Sequence, residues 1–181
     1  MRNEGTALAQ GGVVPDSAGD LGGRLAGKYM TFQLADEAYG LEILKVREII
    51  GLMEITRVPR VDSCVRGIIN LRGRVIPVID LRQKFGMPAT EATEQTVIIV
   101  VQYAVGARTF TMGILVDQVL EVLSIDRTQI EPPPSFGADA TDTDFILAIG
   151  KAAGRVIFLL DIGRVLSEAE TRALESAVAV A

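Results

Sequence analysis

The side chains that carry most enzyme chemistry are scarce in this sequence. Its 181 residues include no histidine, so the chain cannot supply an imidazole base, a Ser-His-Asp triad or a histidine-ligated metal site. The single cysteine, Cys64, excludes an intrachain disulfide and a cysteine-rich zinc site. A nearby arginine could lower the pKa of its thiol, but we favour a small side chain before a strand. We therefore expect no catalytic centre, no metal and no cofactor.

Two aspartates, Asp80 and Asp161, each follow a predicted strand. A pair of carboxylates could serve acid–base chemistry or bind a metal. The favoured interpretation is structural: each carboxylate accepts N–H groups of the turn that follows. We interpret Asp117, Glu121 and Asp126 as solvated positions, and an enzyme using Asp80 or Asp117 remains a minor hypothesis.

Arginines offer chemistry of another kind, the binding of anionic groups. Residues 57–84 carry seven basic and two acidic residues, although the whole chain has a net charge of −5. This stretch indicates a solvated face, a docking surface for an acidic protein or, as an alternative function, a nucleic-acid-binding barrel. No aromatic residue lies among its arginines to stack on bases. Arg72 lies at a predicted turn, where its guanidinium could grip carboxylates, and Glu48 is its partner or a separate contact.

The elements that must position these residues are short and β-like. Apolar residues make up 49% of the chain and aromatic residues only 5%, which predicts a globular domain with an aliphatic core. The strands predicted from composition and turn signals are Tyr29–Leu34, Glu48–Val58, Val65–Leu71, Arg74–Leu81, Thr96–Tyr103, Thr109–Val116, Val119–Ile125, Phe145–Ile149 and Val156–Ile162. Helical pieces are expected at Leu41–Val46, at Leu81–Phe85 and over residues 167–178, where Ser167 and Glu170 have capping-box spacing. Glycine-rich residues 1–27 are predicted to be a flexible tail.

An internal repeat sharpens the fold prediction. The segment Gly73–Leu81 aligns with Gly154–Ile162, and Gly40–Ile50 aligns with Gly113–Leu123. Both matches occur in the same order, which favours a duplicated unit. We expect an all-β fold of two five-stranded barrels, over about 28–86 and 96–166, with short helices and a C-terminal helix. Whether strands exchange between the barrels stays open.

The run GIINLRGRVIPVIDLR at Gly67–Arg82 resembles the CheW family of bacterial chemotaxis coupling proteins. Similar stretches are Tyr39–Ile49, Gly113–Asp117 and Gln129–Pro132, and the resemblance covers about 28–178. It implies two SH3-like five-stranded barrels and a non-enzymatic adaptor. Such adaptors link the cytoplasmic tips of chemoreceptors (methyl-accepting chemotaxis proteins) to the regulatory domain of the histidine kinase CheA.

The resemblance also implies a receptor-binding site. By motif match its residues are Val46, Glu48, Arg72, Val97, Gly113 and Val122, and no residue is assigned to the kinase. An apolar groove with charges at its rim suits a helical receptor tip. We expect a cytoplasmic protein, monomeric when free, that joins membrane-bound receptor arrays without entering the membrane and does not bind nucleic acid. The longest apolar runs, such as Val97–Val101, are far shorter than the roughly 20 residues of a spanning helix.

Overall fold

The structure, a computed structural model, describes residues 17–134 and 144–180. Short strands dominate these two ranges, as predicted. The strands are β1 (Gly27–Leu34), β2 (Glu37–Glu42), β3 (Val46–Gly51), β4 (Val65–Leu71), β5 (Arg74–Asp80), β6 (Val97–Val105), β7 (Arg108–Val116), β8 (Gln118–Ile125), β9 (Ile130–Glu131), β10 (Ile146–Ala152) and β11 (Arg155–Leu160). The helices are α1 (Ser17–Leu25), α2 (Leu81–Lys84) and α3 (Glu168–Val180), and 3-10 turns span Ile43–Lys45, Arg127–Gln129 and Ile162–Arg164.

Most predicted strands are confirmed to within a few residues, and the exceptions have local causes. Strand β2 has no predicted counterpart, because glutamates stand at both of its ends and Gly40 interrupts the short apolar run between them. The two-residue β9 is too short to produce a pattern. The predicted strand Glu48–Val58 is too long: β3 ends at Gly51, and the chain then leaves the ladder.

The strands form two sheets that each draw on both halves of the repeat. Sheet 1 has the order β8-β1-β2-β11-β10-β9, and sheet 2 has the order β3-β6-β7-β5-β4. The hairpin β1–β2 therefore pairs with strands of the second unit, and β6–β7 pairs with strands of the first. The all-β fold with two β units is confirmed. The assignment of one barrel to 28–86 and the other to 96–166 is wrong, because the first hairpin of each unit, β1–β2 or β6–β7, lies in the sheet of the other unit.

Alternation along the strands supplies the cores of the two barrels and the layer between them. Along β6, Ile98 and Val100 enter the core cluster of sheet 2, whereas Ile99 and Val101 enter a larger central cluster. That central cluster also contains Phe32 and other residues of sheet 1. The prediction that Val97–Val101 is buried on both faces is confirmed for its four residues from Ile98 onward.

The barrel of sheet 2 closes between its two edge strands. After β3, the chain returns as a single bridge in which Thr56 and Ile68 exchange backbone hydrogen bonds of 2.8 and 2.9 Å. Gly67, beside this bridge, has φ +144°, and a Cβ there would lie 2.1 Å from the Thr56 carbonyl oxygen. Because that overlap is with backbone, only glycine fits the closure.

The N-terminal segment departs from the predicted tail. Residues 1–16 lie outside the described residues, but Ser17–Leu25 form α1, and Leu21 and Leu25 pack against the core of sheet 1. A Cβ at Gly22 would lie 2.6 Å from the Arg127 carbonyl oxygen, so a glycine permits the close approach of this helix. The tail prediction is therefore wrong for these residues. Three glycines lower the helix propensity of the segment, and its helix depends on packing for its stability.

The C-terminal helix begins with the predicted capping box. The backbone N–H of Ser167 donates to Glu170 Oε2 at 2.6 Å, and the N–H of Glu170 donates to Ser167 Oγ at 3.1 Å. Leu174 anchors the helix on the central cluster. Across residues 17–134 and 144–180, no helix is long and apolar enough to cross a membrane.

Candidate partner-binding site

The exposed ion pair between Arg72 and Glu48 is the centre of the candidate site. Arg72 and Gly73 form the two-residue turn between β4 and β5, with φ values of 52° and 84°. Both lie in the left-handed region that such hairpin turns require. The N–H of Gly73 donates to Asn70 Oδ1 at 2.9 Å, which fixes the turn. The predicted hairpin is confirmed, and it leaves the Arg72 side chain 66% exposed.

Arg72 and Glu48 meet because sheet 2 curls into a barrel. Glu48 lies on β3, and Arg72 follows β4, at the opposite edge of the sheet. The guanidinium donates to Glu48 Oε1, and this hydrogen bond and the carboxylate charge raise the pKa of Arg72. The interpretation of Glu48 as the partner of Arg72 is confirmed.

The repeat shows that the turn itself does not require an arginine. In the second unit Ala153 and Gly154 form the equivalent turn, with φ values of 54° and 72°. Alanine therefore satisfies the same backbone geometry without a charge. The Arg72 side chain is therefore not needed for the conformation of the turn.

The other predicted contact residues do not all lie beside this ion pair. Val46 and Val97 are half-buried at the margin of the central cluster. In the β3–β6 ladder Val46 pairs with Val101, and Val97 pairs with Gly51, so the two valines lie at opposite ends, about 13 Å apart along the strands. A partner touching both would have to follow the length of this ladder.

Two further predicted residues occupy different surroundings. Gly113 is buried on β7, where a Cβ would lie 2.7 Å from Ile98 Cγ2. A partner cannot reach Gly113 directly, and its lack of a side chain serves the packing of sheet 2. Val122 lies on β8 in sheet 1 and is 50% exposed, so it remains available for contact.

Exposed apolar side chains near Glu48 were not predicted as contacts. Leu44, Ile49, Leu52 and Met53 all lie in or beside β3 and are exposed, with Leu44 at 89%. Their apolar character indicates a core when only the sequence is available. The one available signal was period-two alternation, which places Ile49 on the opposite face of β3 from Glu48.

Two basic residues of the 57–84 stretch, Arg82 and Lys84, form ion pairs within the fold. Arg82 donates to both carboxylate oxygens of Asp117 at 2.8 to 3.0 Å, and Lys84 donates to Glu170 at 2.7 and 2.9 Å. The Arg82 and Lys84 side chains are only 16% and 21% exposed. Neither is free for a nucleic-acid phosphate, which weakens the alternative function. The interpretation of Asp117 as a solvated position is wrong, because Arg82 and the N–H of Ala35 both bind it.

The two aspartates of the repeat cap turns, as the structural interpretation predicts. Asp80 Oδ1 accepts the N–H groups of Arg82 at 3.0 Å and Gln83 at 3.4 Å. Asp161 Oδ1 accepts the N–H of Gly163 at 3.0 Å. These bonds explain why both units retain an aspartate at the end of a strand.

Three possible metal ligands, Asp62, Cys64 and Glu170, lie close together. Burial, followed by the charge of Asp62, raises the pKa of the Cys64 thiol to about 12, so the thiol stays protonated near neutral pH. Lys84 already binds both carboxylate oxygens of Glu170. The Glu170 carboxylate is therefore already paired with a lysine. Because the pKa of Cys64 is raised and not lowered, the hypothesis that an arginine activates its thiol is wrong.

Comparisons with known proteins place this architecture in a family. The family model of the CheW-like domain matches residues 28–170. Chemotaxis protein CheW of Klebsiella aerogenes is 38% identical over 151 residues, which cover 83% of this chain and 88% of that protein. Chemotaxis protein CheW of Bacillus subtilis is 33% identical over 141 residues, or 78% of this chain and 87% of that protein.

A solved structure agrees with these relatives. The crystal structure of the scaffolding protein TtCheW from Thermoanaerobacter tengcongensis superposes with a TM-score of 0.70 at 35% identity, covering 81% of this chain and 96% of that one. The resemblance in the sequence and the two-barrel fold are thereby confirmed. By these names the CheW family is one of chemotaxis scaffolding proteins and not of enzymes. The chain belongs to the CheW-like family.

Proposed function

We propose that the protein couples the cytoplasmic tips of chemoreceptors to the regulatory domain of the histidine kinase CheA. It does so in the cytoplasm, at membrane-bound receptor arrays, and is a monomer when free. The observation that carries this proposal is the exposed Arg72–Glu48 ion pair on a CheW-family scaffold. Its charges fix the register of a receptor helix, while half-buried Val46 and exposed Val122 offer apolar contact.

Co-sedimentation with a receptor cytoplasmic fragment, with and without CheA, tests the proposal. We expect retention of all three proteins and a rise in kinase activity over kinase and receptor alone. If the kinase binds but no receptor fragment does, the coupling function is contradicted. If neither protein binds, the family relationship does not extend to this activity.

Arg72→Ala is expected to weaken receptor binding by about tenfold or more and to leave the melting temperature nearly unchanged. The side chain is exposed, and Ala153 shows that alanine fits the equivalent turn. Arg108→Ala is the matched control, since Arg108 is 72% exposed and pairs with Glu175 at 3.0 Å elsewhere on the surface. Equal affinities for the two variants would remove Arg72 from the site.

Val46→Asp is expected to weaken receptor binding more than Val46→Ala. The aspartate would bury a charge without a partner against the receptor helix, whereas alanine only removes apolar contact. Binding is measured by titration calorimetry on variants shown to be folded by circular dichroism. Val156→Asp, at a 48% exposed valine on β11, is the control for an added surface charge. Indistinguishable affinities of the two Val46 variants would show that this valine lies outside the contact.

A further inference from the structure

One end of the sheet 2 barrel opens into a cavity of about 440 Å³. We call this end the barrel mouth. Its polar lining consists of Arg47, Glu48, Arg72, Arg74, Gln102 and Thr111. This size is within the range of small-molecule sites, and mouths of β-barrels are among the places where such sites form.

The barrel mouth is polar because the inward-facing residues of neighbouring strands change from apolar to polar at the same end of the barrel. Along β6 the inward positions Ile98 and Val100 are buried in the barrel core, and the next position in the same row is Gln102. Along β5 the inward positions Val78 and Ile76 are followed by Arg74. Two apolar rows therefore end in polar side chains at one rim of the barrel.

A third strand repeats the change. Leu115 belongs to the barrel core, Gly113 is buried in the same row of β7, and Thr111 ends that row. Thr111 and Gln102 are paired across the β6–β7 ladder, so their side chains lie side by side. Both are half-buried below the exposed arginines, and neither side chain has a hydrogen-bond partner among the described residues. Their polar groups are thus available to a molecule that enters the mouth.

The charge of the barrel mouth is unbalanced. It holds three arginines and one carboxylate. Arg72 binds Glu48, whereas Arg47 and Arg74 form no ion pair with any residue in the described parts of the chain. Arg47 occupies a bulge, because the β3–β6 register shifts between Val46 and Glu48. Bulges redirect side chains, which explains how an outward position comes to line the cavity.

We propose that the barrel mouth binds a small organic or inorganic oxyanion with two negative charges, such as a dicarboxylate or a phosphate. Two unpaired guanidinium groups match two charges, and their planar N–H pairs fit carboxylate and phosphate oxygens equally well. The half-buried side chains of Gln102 and Thr111, which form the floor of the cavity, donate hydrogen bonds to the same ligand. A flat helical surface could reach the arginines but not this floor, which favours a small molecule.

Titration calorimetry of the full chain tests this site with succinate and inorganic phosphate as probes, at constant ionic strength set by chloride. We expect one of the two dianions to bind saturably with a Kd below about 10 mM, and the one that binds identifies the ligand class. Arg74→Gln and Thr111→Val are each expected to weaken that binding, Arg74→Gln by about tenfold. Arg57→Gln, in the same basic stretch but outside the mouth, is expected to bind as the wild type does.

The absence of saturation by both probes, or equal affinities in Arg74→Gln and Arg57→Gln, would overturn the proposal. Circular dichroism shows beforehand that each variant is folded, and two variants from different strands guard against a local distortion. The titration contains neither receptor nor kinase. Although the mouth shares Arg72 and Glu48 with the proposed receptor site, failure of anion binding is therefore distinct from failure of the coupling function.

Discussion

Gly67→Ala is expected to lower the free energy of unfolding by about 3 kcal/mol. Alanine at position 67 would have to adopt the same φ of +144°, and its methyl carbon would lie 2.1 Å from the Thr56 carbonyl oxygen. Relief requires the Thr56–Ile68 bridge to open, which separates the edges of the sheet 2 barrel. Urea denaturation followed by circular dichroism measures the loss.

Gly106→Ala is the matched control for the Gly67 substitution. Gly106 also has a positive φ, of +61°, but no atom lies within 4 Å of the position of its Cβ. We expect it to cost only the backbone strain, about 1 kcal/mol. Equal losses at the two glycines would mean that barrel closure at Thr56 adds nothing to stability.

Arg82→Ala is expected to lower the free energy of unfolding by about 2 to 3 kcal/mol at neutral pH. Arg82 on α2 donates hydrogen bonds to Asp117, which lies between β7 and β8, and it therefore links the first unit of the repeat to the second. Its removal leaves a carboxylate that is only 25% exposed without a cationic partner. Lys151→Ala, which breaks an exposed ion pair with Glu131, is expected to cost less than about 1 kcal/mol.

The pH dependence of this loss identifies its cause. Burial alone would raise the pKa of Asp117, but hydrogen bonds from Arg82 and from the N–H of Ala35 outweigh it and hold the pKa below 3.8. A depressed carboxylate pKa contributes stability above its unfolded value, and that stability disappears as the pH falls through the folded value. The difference between wild type and Arg82→Ala should therefore shrink below pH 3.8. A difference that stays constant down to about pH 2 would show that Arg82 acts through packing alone.

Local features of the fold could be predicted from the sequence because they depend on neighbouring residues. The Arg72–Gly73 turn is marked by glycine between two β-like runs. The Asp80 cap and the capping box of Ser167 and Glu170 depend on side chains reaching N–H groups two or three residues away. The double-sided burial of β6 depends on an unbroken apolar run. Each signal is contained within a few residues.

The candidate site was predicted in part. Arg72 and Glu48 form an ion pair, which was one of the two alternatives left open for Glu48, although no local pattern requires β3 and β4 to approach. Gly113 is buried, and the exposure of Leu44 became visible only in the folded chain. Burial depends on what packs from elsewhere in the chain, and an apolar residue has the same appearance in a sequence whether it is covered or exposed.

By itself the sequence determined most of the strands, the Arg72–Gly73 turn, the repeat and the family resemblance. Only the tertiary structure decided that the β1–β2 and β6–β7 hairpins exchange between the sheets. The two units offer nearly equivalent strand edges, and backbone hydrogen bonds form equally well with a strand of either unit. It also decided that Gly67 must be glycine. Ala148, at the equivalent place in β10, is fully buried with its methyl group and has no positive φ, so the demand for glycine comes from the local φ of Gly67 and the close approach of Thr56.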